Sequence, residues 1–175
     1  MICPSYRSNA LCPYDLPMLE FTYREEASTS AGALAMIWNA IDELERRYGS
    51  SEERLKLSPD EMSGPLGAFV VVRHEEHPVG GIGLRPILDP ELRIGELKRL
   101  WVRPDMRRYG IAKQLMIEVE SSARARGYRE LYLETGIKQP EAVALYEKID
   151  WEPVDDFPAG AYSYPTGIKF KKVLN

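Results

Sequence analysis

Apolar residues recur at helical spacing in three long segments of the chain. The first follows Ser30, a residue type that caps helices, and its apolar residues fall on one face: Leu34, Ile37, Trp38, Ile41, Leu44 and Tyr48. The second covers Ile111–Arg126, and the third covers Pro140–Ile149. A capping-box pattern with a proline at Ser58–Glu61 predicts one further, short helix.

The segments between these helices show the alternation or the short apolar runs that are typical of strands. The predicted strands are Leu19–Arg24, Ala68–Arg73, Val79–Arg85, Ile94–Val102, Arg129–Thr135, Trp151–Val154 and Thr166–Val173. The polar segment His74–Pro78 separates the second strand from the third and predicts a hairpin. The element order β-α-α-β-β-β-α-β-α-β-β predicts one α/β domain with a mixed sheet over residues 18–175.

Length and composition narrow the class of protein. A chain of 175 residues fits one domain with a single core. No apolar run reaches the length of a membrane span and no signal-peptide pattern opens the chain, so we expect a cytoplasmic protein with no membrane partner. Residues 1–17 lack periodicity and are interpreted as an arm, whose apolar side chains are compatible with a homodimer.

Charge is distributed unevenly along the chain. A net charge of −4 argues against nucleic acid as the main partner. Between Glu91 and Lys113, however, seven basic residues stand against three acidic ones, which favours a small anionic ligand at one place. A solvated charged strand and loop is the alternative interpretation. His74 and His77 flank two glutamates, but no third ligand is evident, so no metal site is predicted.

The basic segment contains a pattern that favours anion binding. A strand ends at Val102, a loop with Arg107 and Arg108 follows, and a helix begins near Gly110 without a capping side chain. The unpaired N–H groups and the positive dipole end of a helix N-terminus attract anions, and a glycine lets a pyrophosphate approach the backbone. The sequence has no P-loop pattern at this loop, and Gly81–Gly83 lies inside a strand, so nucleotide-hydrolysis and dinucleotide sites are excluded.

Three segments resemble one known family. Arg107–Ala112 is similar to the Q/R-x-x-G-x-G/A acetyl-CoA signature of the Gcn5-related N-acetyltransferases (GNAT), and Glu96–Val102 resembles the central strand of that family. Gln139–Lys148 resembles the second cofactor helix, N-x-x-A-x-x-L-Y-E-K, with glutamine in place of the usual asparagine. The resemblance extends from about Leu19 to the C-terminus. It implies a mixed, mostly antiparallel sheet flanked by helices and splayed between its fourth and fifth strands.

The resemblance also implies an activity and a set of binding residues. The implied reaction is direct transfer of the acetyl group of acetyl-CoA to a primary amine in a ternary complex, with the pantetheine arm in the gap of the splayed sheet. The implied cofactor-binding residues are Leu100, Val102, Arg107, Arg108, Tyr109, Gly110, Ile111, Ala112, Gln139 and Tyr146.

Two residues are candidates for the proton transfers. The resemblance makes Tyr146 the acid that protonates the CoA sulfur, and core packing on the neighbouring apolar helix positions is the alternative. Glu96 is the candidate general base, and an ion pair with Lys98 or Arg99 is the alternative. Glu134 is a second candidate base at the end of the next strand.

The sequence carries no readable motif for the acceptor. A small-molecule amine is favoured over a protein lysine or an N-terminal amine, because the acidic remainder of the chain attracts a small cation. A non-catalytic acyl-CoA-binding regulatory domain is the alternative class of function. Such a domain would be expected to lack the acid or the base, and both candidates are present.

Overall fold

The computed structural model describes residues 19–49 and 58–175, so the predicted arm lies outside the described residues. The described residues form seven strands: β1 (Thr22–Glu26), β2 (Ala68–His74), β3 (His77–Pro86), β4 (Ile94–Val102), β5 (Glu130–Thr135), β6 (Glu152–Val154) and β7 (Ile168–Val173). They also form three α-helices: α1 (Ala31–Tyr48), α2 (Ile111–Ala125) and α3 (Pro140–Lys148). Within these ranges, no helix is long and apolar enough to cross a membrane.

The strands form one sheet in the order β1-β2-β3-β4-β5-β7-β6. All neighbouring strands are antiparallel except β4 and β5, which are parallel. The parallel pairing is short, because it begins at Ile94 opposite Glu130 and ends at Leu97 opposite Leu133. Beyond Leu97 the two strands separate, so the predicted α/β fold and its splay between the fourth and fifth strands are confirmed.

The core explains why β2 is a continuous apolar run. Side chains alternate between the two faces of a strand. Ala68, Val70 and Val72 therefore pack on one face against α2, while Phe69 and Val71 pack on the other face against α1. A strand that is buried on both faces needs apolar residues at every position. The two helices thus cover opposite faces of the sheet.

A bulge in β4 lies where this strand leaves β5. Gly83 pairs with Lys98 and Gly81 pairs with Trp101, so two residues of β4 stand opposite one residue of β3. Arg99, inside the bulge, has a left-handed backbone with φ 64°. A β-bulge bends its strand and increases the local twist. The bulge therefore helps to turn the end of β4 away from β5.

Two sequence predictions need correction. The predicted short helix after Ser58 is a single 3₁₀ turn, Pro59–Met62, because the backbone is already extended again at Ser63. The predicted five-residue hairpin loop is shorter, since β2 and β3 continue to His74 and His77. Only two residues connect them, and both have positive φ, as the favoured two-residue hairpin turns require.

Candidate active site

The gap between β4 and β5 opens into a cavity of about 910 Å³. It is lined by the end of β4, the loop before α2 and the first turn of α2, the end of β5, α3, the C-terminal half of α1 and the loop before β7. Nine of the ten predicted cofactor residues line it. Tyr109 is the exception, because its side chain is 59% exposed and lies near Phe21, with ring centroids 6.3 Å apart.

The end of β4 presents backbone groups to the gap. The N–H of Arg103 donates to the carbonyl of Val79 at 2.8 Å, so this residue faces β3. Hydrogen-bonding groups alternate along a paired strand. Trp101 therefore faces β3 as well, whereas the backbone groups of Leu100 and Val102 face the gap. The Val102 carbonyl is already used, since it accepts a hydrogen bond from Nε of Arg107 at 2.9 Å.

The N-terminus of α2 has the donors and the space that an anion needs. Gly110 is the capping residue, with a left-handed backbone of φ 79°, and no side chain caps the helix. The first intrahelical bond runs from the Gln114 N–H to the Gly110 carbonyl at 3.1 Å. The preceding N–H groups of the helix therefore have no acceptor within it. A Cβ added at Gly110 would meet no atom within 4 Å, so the site fits a pyrophosphate group.

The two motif arginines lie in different environments. Arg108 forms no ion pair or hydrogen bond with the described residues, so its charge remains available to an anion. Arg107 is directed toward α1, where its Nη2 lies 2.5 Å from Oε2 of Glu43. Trp101 and Arg47 also donate to Glu43, at 2.8 and 2.5 Å. Burial opposes ionisation of Glu43, but the hydrogen bonds from Arg107 and Arg47 outweigh it and keep its pKa below the ordinary value.

Tyr146 both packs in the core and lines the cavity. Its ring is 6% exposed and lies 5.5 Å from the ring of Phe170 and 6.3 Å from that of Trp151, between centroids. Its hydroxyl makes no hydrogen bond with the described residues. Burial raises the pKa of this hydroxyl well above its ordinary value, so it stays protonated at neutral pH. The packing role and a role in the cavity are therefore compatible.

Glu96 does not line the cavity. It is 2% exposed, and its Oε2 lies 2.7 Å from Nη2 of Arg85. Its Oε1 lies 3.3 Å from Nζ of Lys98, which is the ion pair that the sequence offered as the alternative. The strand register explains this position, because Glu96 pairs with Tyr132 in the part of β4 that is still joined to β5.

Glu134 does line the cavity, because it follows the last residue of β5 that pairs with β4. It is half-buried, and its Oε1 accepts the N–H of Tyr164 at 2.8 Å. Desolvation raises its pKa, and the hydrogen bond from Tyr164 only partly opposes this effect. The neighbouring Thr135 is buried, and its hydroxyl is without a hydrogen-bond partner among the described residues.

Gln139 closes the loop between β5 and α3. Its side-chain Oε1 accepts the N–H of Gly136 at 3.2 Å, and its own backbone caps α3. The side chain also lines the cavity. Glutamine at this position therefore supports the loop that carries the cavity wall.

Known proteins with similar sequences are acetyltransferases. The Acetyltransferase (GNAT) family pattern matches residues 35–151, more than half of the chain. The uncharacterized N-acetyltransferase YjgM of Escherichia coli is 39% identical over 93 residues, which are 53% of this chain and 56% of that protein. The IAA acetyltransferase of Azospirillum brasilense is 34% identical over 125 residues, 70% of this chain and 79% of that protein. The chain thus matches little more than half the length of the Escherichia coli relative.

Solved structures share the fold. An acetyltransferase of the GNAT family from Staphylococcus aureus superimposes with a TM-score of 0.72 at 16% identity, over 89% of this chain and 100% of that chain. The PaiA N-acetyltransferase of Thermoplasma acidophilum, in complex with coenzyme A, gives a TM-score of 0.63 at 19% identity, over 87% of this chain and 99% of that chain. Together with the family pattern and the motifs that line the cavity, these matches show that the chain belongs to the GNAT family of acetyltransferases.

Proposed function

We propose that the protein transfers the acetyl group of acetyl-CoA to the primary amine of a small molecule, by direct attack in a ternary complex. The observation that carries the proposal is one continuous cavity that joins the N-terminus of α2 to Tyr146 and Glu134. An anion site, an acid and a base are the groups that acetyl transfer between a CoA thioester and an amine requires.

The proposed binding mode for acetyl-CoA uses both backbone and side chains. The pyrophosphate would accept hydrogen bonds from the free N–H groups at the start of α2, which is a common anion-binding arrangement. The guanidinium of Arg108 would add charge-assisted hydrogen bonds. The gap-facing backbone of Leu100 and Val102 would pair with the pantetheine arm. Arg107 would support this loop through Glu43 instead of contacting the phosphates. When bound, acetyl-CoA supplies the thioester.

The proposed proton transfers use Glu134 and Tyr146. An alkylammonium group has a pKa of about 10, so the acceptor must lose a proton before it attacks. Glu134 takes that proton, and a C–N bond forms at the carbonyl carbon as the C–S bond breaks. The nitrogen then loses its second proton, which restores the hydroxyl of Tyr146 after this residue has protonated the sulfur. The hydroxyl of Tyr146 donates its proton to the departing sulfur. Glu134 replaces the sequence candidate Glu96 in this proposal, because the Glu96 carboxylate is held by Arg85 and Lys98 outside the cavity.

Acetyl-CoA is expected to stabilise the folded protein against heat. A ligand that binds only the folded state at about 100 times its Kd adds roughly 2.7 kcal/mol to the free energy of unfolding. The measurement is the melting temperature with and without acetyl-CoA, followed by thiol release from acetyl-CoA in the presence of an amine panel. A single-stranded oligonucleotide is the control ligand. An unchanged melting temperature at millimolar acetyl-CoA, together with no thiol release, would contradict the proposed function.

Replacing Glu134 with glutamine is expected to lower kcat/KM by about 100-fold, because general-base catalysis is lost. Desolvation raises the pKa of Glu134. As the pH is lowered, the wild-type enzyme should therefore lose activity at a higher pH than it would if the base were a glutamate with an ordinary pKa near 4.3. The protonated carboxyl cannot accept a proton, so activity requires a pH above this pKa. The measurement is kcat/KM from about pH 5 to 9 for wild type and Glu134→Gln.

The matched control is Glu96→Gln, a change of the same chemistry at the neighbouring site outside the cavity. In this variant, activity is still expected to fall at low pH as it does in the wild type. Its melting temperature is expected to be lower, because the ion pairs with Arg85 and Lys98 are lost. If Glu96→Gln abolishes the loss of activity at low pH and Glu134→Gln keeps it, the base is Glu96, as the sequence suggested.

A further inference from the structure

One part of the cavity wall is here called the acceptor end, because it includes the proposed base Glu134. It is formed by Leu44 and Tyr48 of α1, Glu134 and Gly136 at the end of β5, and Tyr164 before β7. Two pairs of these residues are in contact. The Tyr48 hydroxyl lies against Gly136, where a Cβ would collide with it, and the N–H of Tyr164 donates to Glu134 at 2.8 Å.

The acceptor end offers one carboxylate to a cation. Three glutamates line the whole cavity, and two of them are paired with arginines. Glu43 lies 2.5 Å from both Arg47 and Arg107, and Glu141 lies 2.5 Å from Arg47. Within residues 19–49 and 58–175, no lysine or arginine nitrogen lies within 4.0 Å of the Glu134 carboxylate. Glu134 can therefore receive one ammonium group, and a second ammonium would find no unpaired carboxylate.

Two lysines at this end oppose a second positive charge. Nζ of Lys98 lies 3.3 Å from Glu96, and Nζ of Lys138 lies 2.8 Å from the carbonyl of Arg47. Nζ of Lys138 also lies 5.3 Å from the ring centroid of Tyr48. A polyamine would bring a distal ammonium toward these like charges. A substrate carboxylate would have to displace the partners that the two lysines already have.

Apolar side chains form another part of the acceptor end. Tyr48 lines this wall, and its hydroxyl accepts the N–H of Lys138 at 2.7 Å. Leu44 lines the same wall, and Ile137 lines it with a side chain that is 68% exposed. Apolar surface of this kind binds an apolar partner, because its burial removes it from water.

We infer that the acceptor is a primary amine with one positive charge and an apolar body, such as an arylalkylamine, and not a polyamine or an amino acid. This inference rests on the proposed acetyl transfer. The ammonium meets Glu134, and the apolar body lies between Leu44, Tyr48 and Ile137. Specificity of this kind follows from the absence of a second unpaired carboxylate, since a second positive charge finds no partner at the acceptor end.

The test compares four acceptors with the wild-type protein and acetyl-CoA, using release of the CoA thiol as readout. The acceptors are 2-phenylethylamine, putrescine, spermidine and phenylalanine. We expect kcat/KM for 2-phenylethylamine to exceed that for each of the others by about 10-fold or more, the discrimination that one lost contact or unpaired charge produces. Phenylalanine differs from 2-phenylethylamine only by its carboxylate, and putrescine replaces the ring with a second ammonium.

A pair of variants tests the charge argument directly. Leu44→Glu adds a second carboxylate to the acceptor end, whereas Leu44→Gln adds a polar group of the same size without charge. Leu44→Glu is expected to raise the ratio of kcat/KM for putrescine to that for 2-phenylethylamine by about 10-fold relative to Leu44→Gln, since an opposite charge within reach favours the dication. Equal ratios in the two variants would overturn the inference.

The outcomes separate the acceptor class from the proposed function. If putrescine, spermidine or phenylalanine is the best acceptor, the inferred class is wrong while acetyl transfer to an amine stands. If acetyl-CoA stabilises the protein but no amine releases the thiol, both the class and the proposed function are wrong.

Discussion

Replacing Tyr146 with phenylalanine is expected to lower kcat by about 100-fold, because the departing CoA sulfur loses its proton donor. The affinity for acetyl-CoA is expected to remain near that of the wild type, since the change removes one hydroxyl and keeps the ring. Melting temperature should also change little. The ring keeps its contacts with Trp151 and Phe170, and the hydroxyl has no hydrogen-bond partner among the described residues that its removal would leave unsatisfied.

Tyr128→Phe is the matched control, because Tyr128 is also a buried tyrosine whose pKa is raised, to about 12, by desolvation. Its hydroxyl donates to the carbonyl of Leu66 at 2.8 Å. Removing this donor should lower the free energy of unfolding by about 1–3 kcal/mol and leave kcat within about twofold. A Tyr146→Phe variant that behaves in this way, with kcat within about twofold of wild type, would show that Tyr146 is a packing residue, since such a difference is below 1 kcal/mol.

The elements that position the site could be predicted from the sequence where the pattern that specifies them lies within a few neighbouring residues. Ser30 caps α1, and its Oγ accepts the N–H of Ala33 at 3.1 Å, as its residue type and the following apolar spacing predicted. β4 has the predicted bounds, and α2 begins at the predicted Ile111. Each of these signals is contained in a few consecutive residues. Short-range physical chemistry therefore sufficed for them.

Which of the two strand glutamates lines the cavity was not predictable, because it depends on pairing between strands. Glu96 and Glu134 lie in adjacent strands, and nothing in the sequence says where those strands separate. Pairing ends at Leu97 and Leu133, so a residue before this point lies within the joined part of the sheet and a residue after it borders the gap. The bulge at Arg99 depends in the same way on the register between β3 and β4.

The contact between Arg107 and Glu43 was also not predictable from the sequence. A basic residue in a phosphate-binding motif predicts a phosphate contact, but the Arg107 side chain binds Glu43, 64 positions away in the chain. Only the packing of α1 over the cavity brings these two residues together. The carboxylate of Glu43 is surrounded by three donors, which satisfies the charge of Arg107 inside the protein.

Replacing Gly110 with aspartate is expected to weaken acetyl-CoA binding by about 100-fold or more. The aspartate would occupy the capping position of α2, where its carboxylate competes with the pyrophosphate for the free N–H groups of the helix. Placing two negative charges together costs several kcal/mol, and each 1.4 kcal/mol changes Kd about tenfold. The direct measurement is Kd for acetyl-CoA by calorimetry.

A matched asparagine variant separates lost binding from lost structure, because both substitutions strain the same backbone position. Gly110 has a left-handed backbone of φ 79°, a region that aspartate and asparagine adopt more readily than most residues, and a Cβ there meets no atom within 4 Å. The left-handed backbone strains any side chain, so the melting temperature without ligand should fall somewhat in Gly110→Asp and in Gly110→Asn alike. Gly110→Asn is the matched control, because it has the same size and backbone tolerance without the charge. It should bind acetyl-CoA more tightly than Gly110→Asp. If Gly110→Asp binds acetyl-CoA as tightly as the wild type, the pyrophosphate does not lie at the N-terminus of α2.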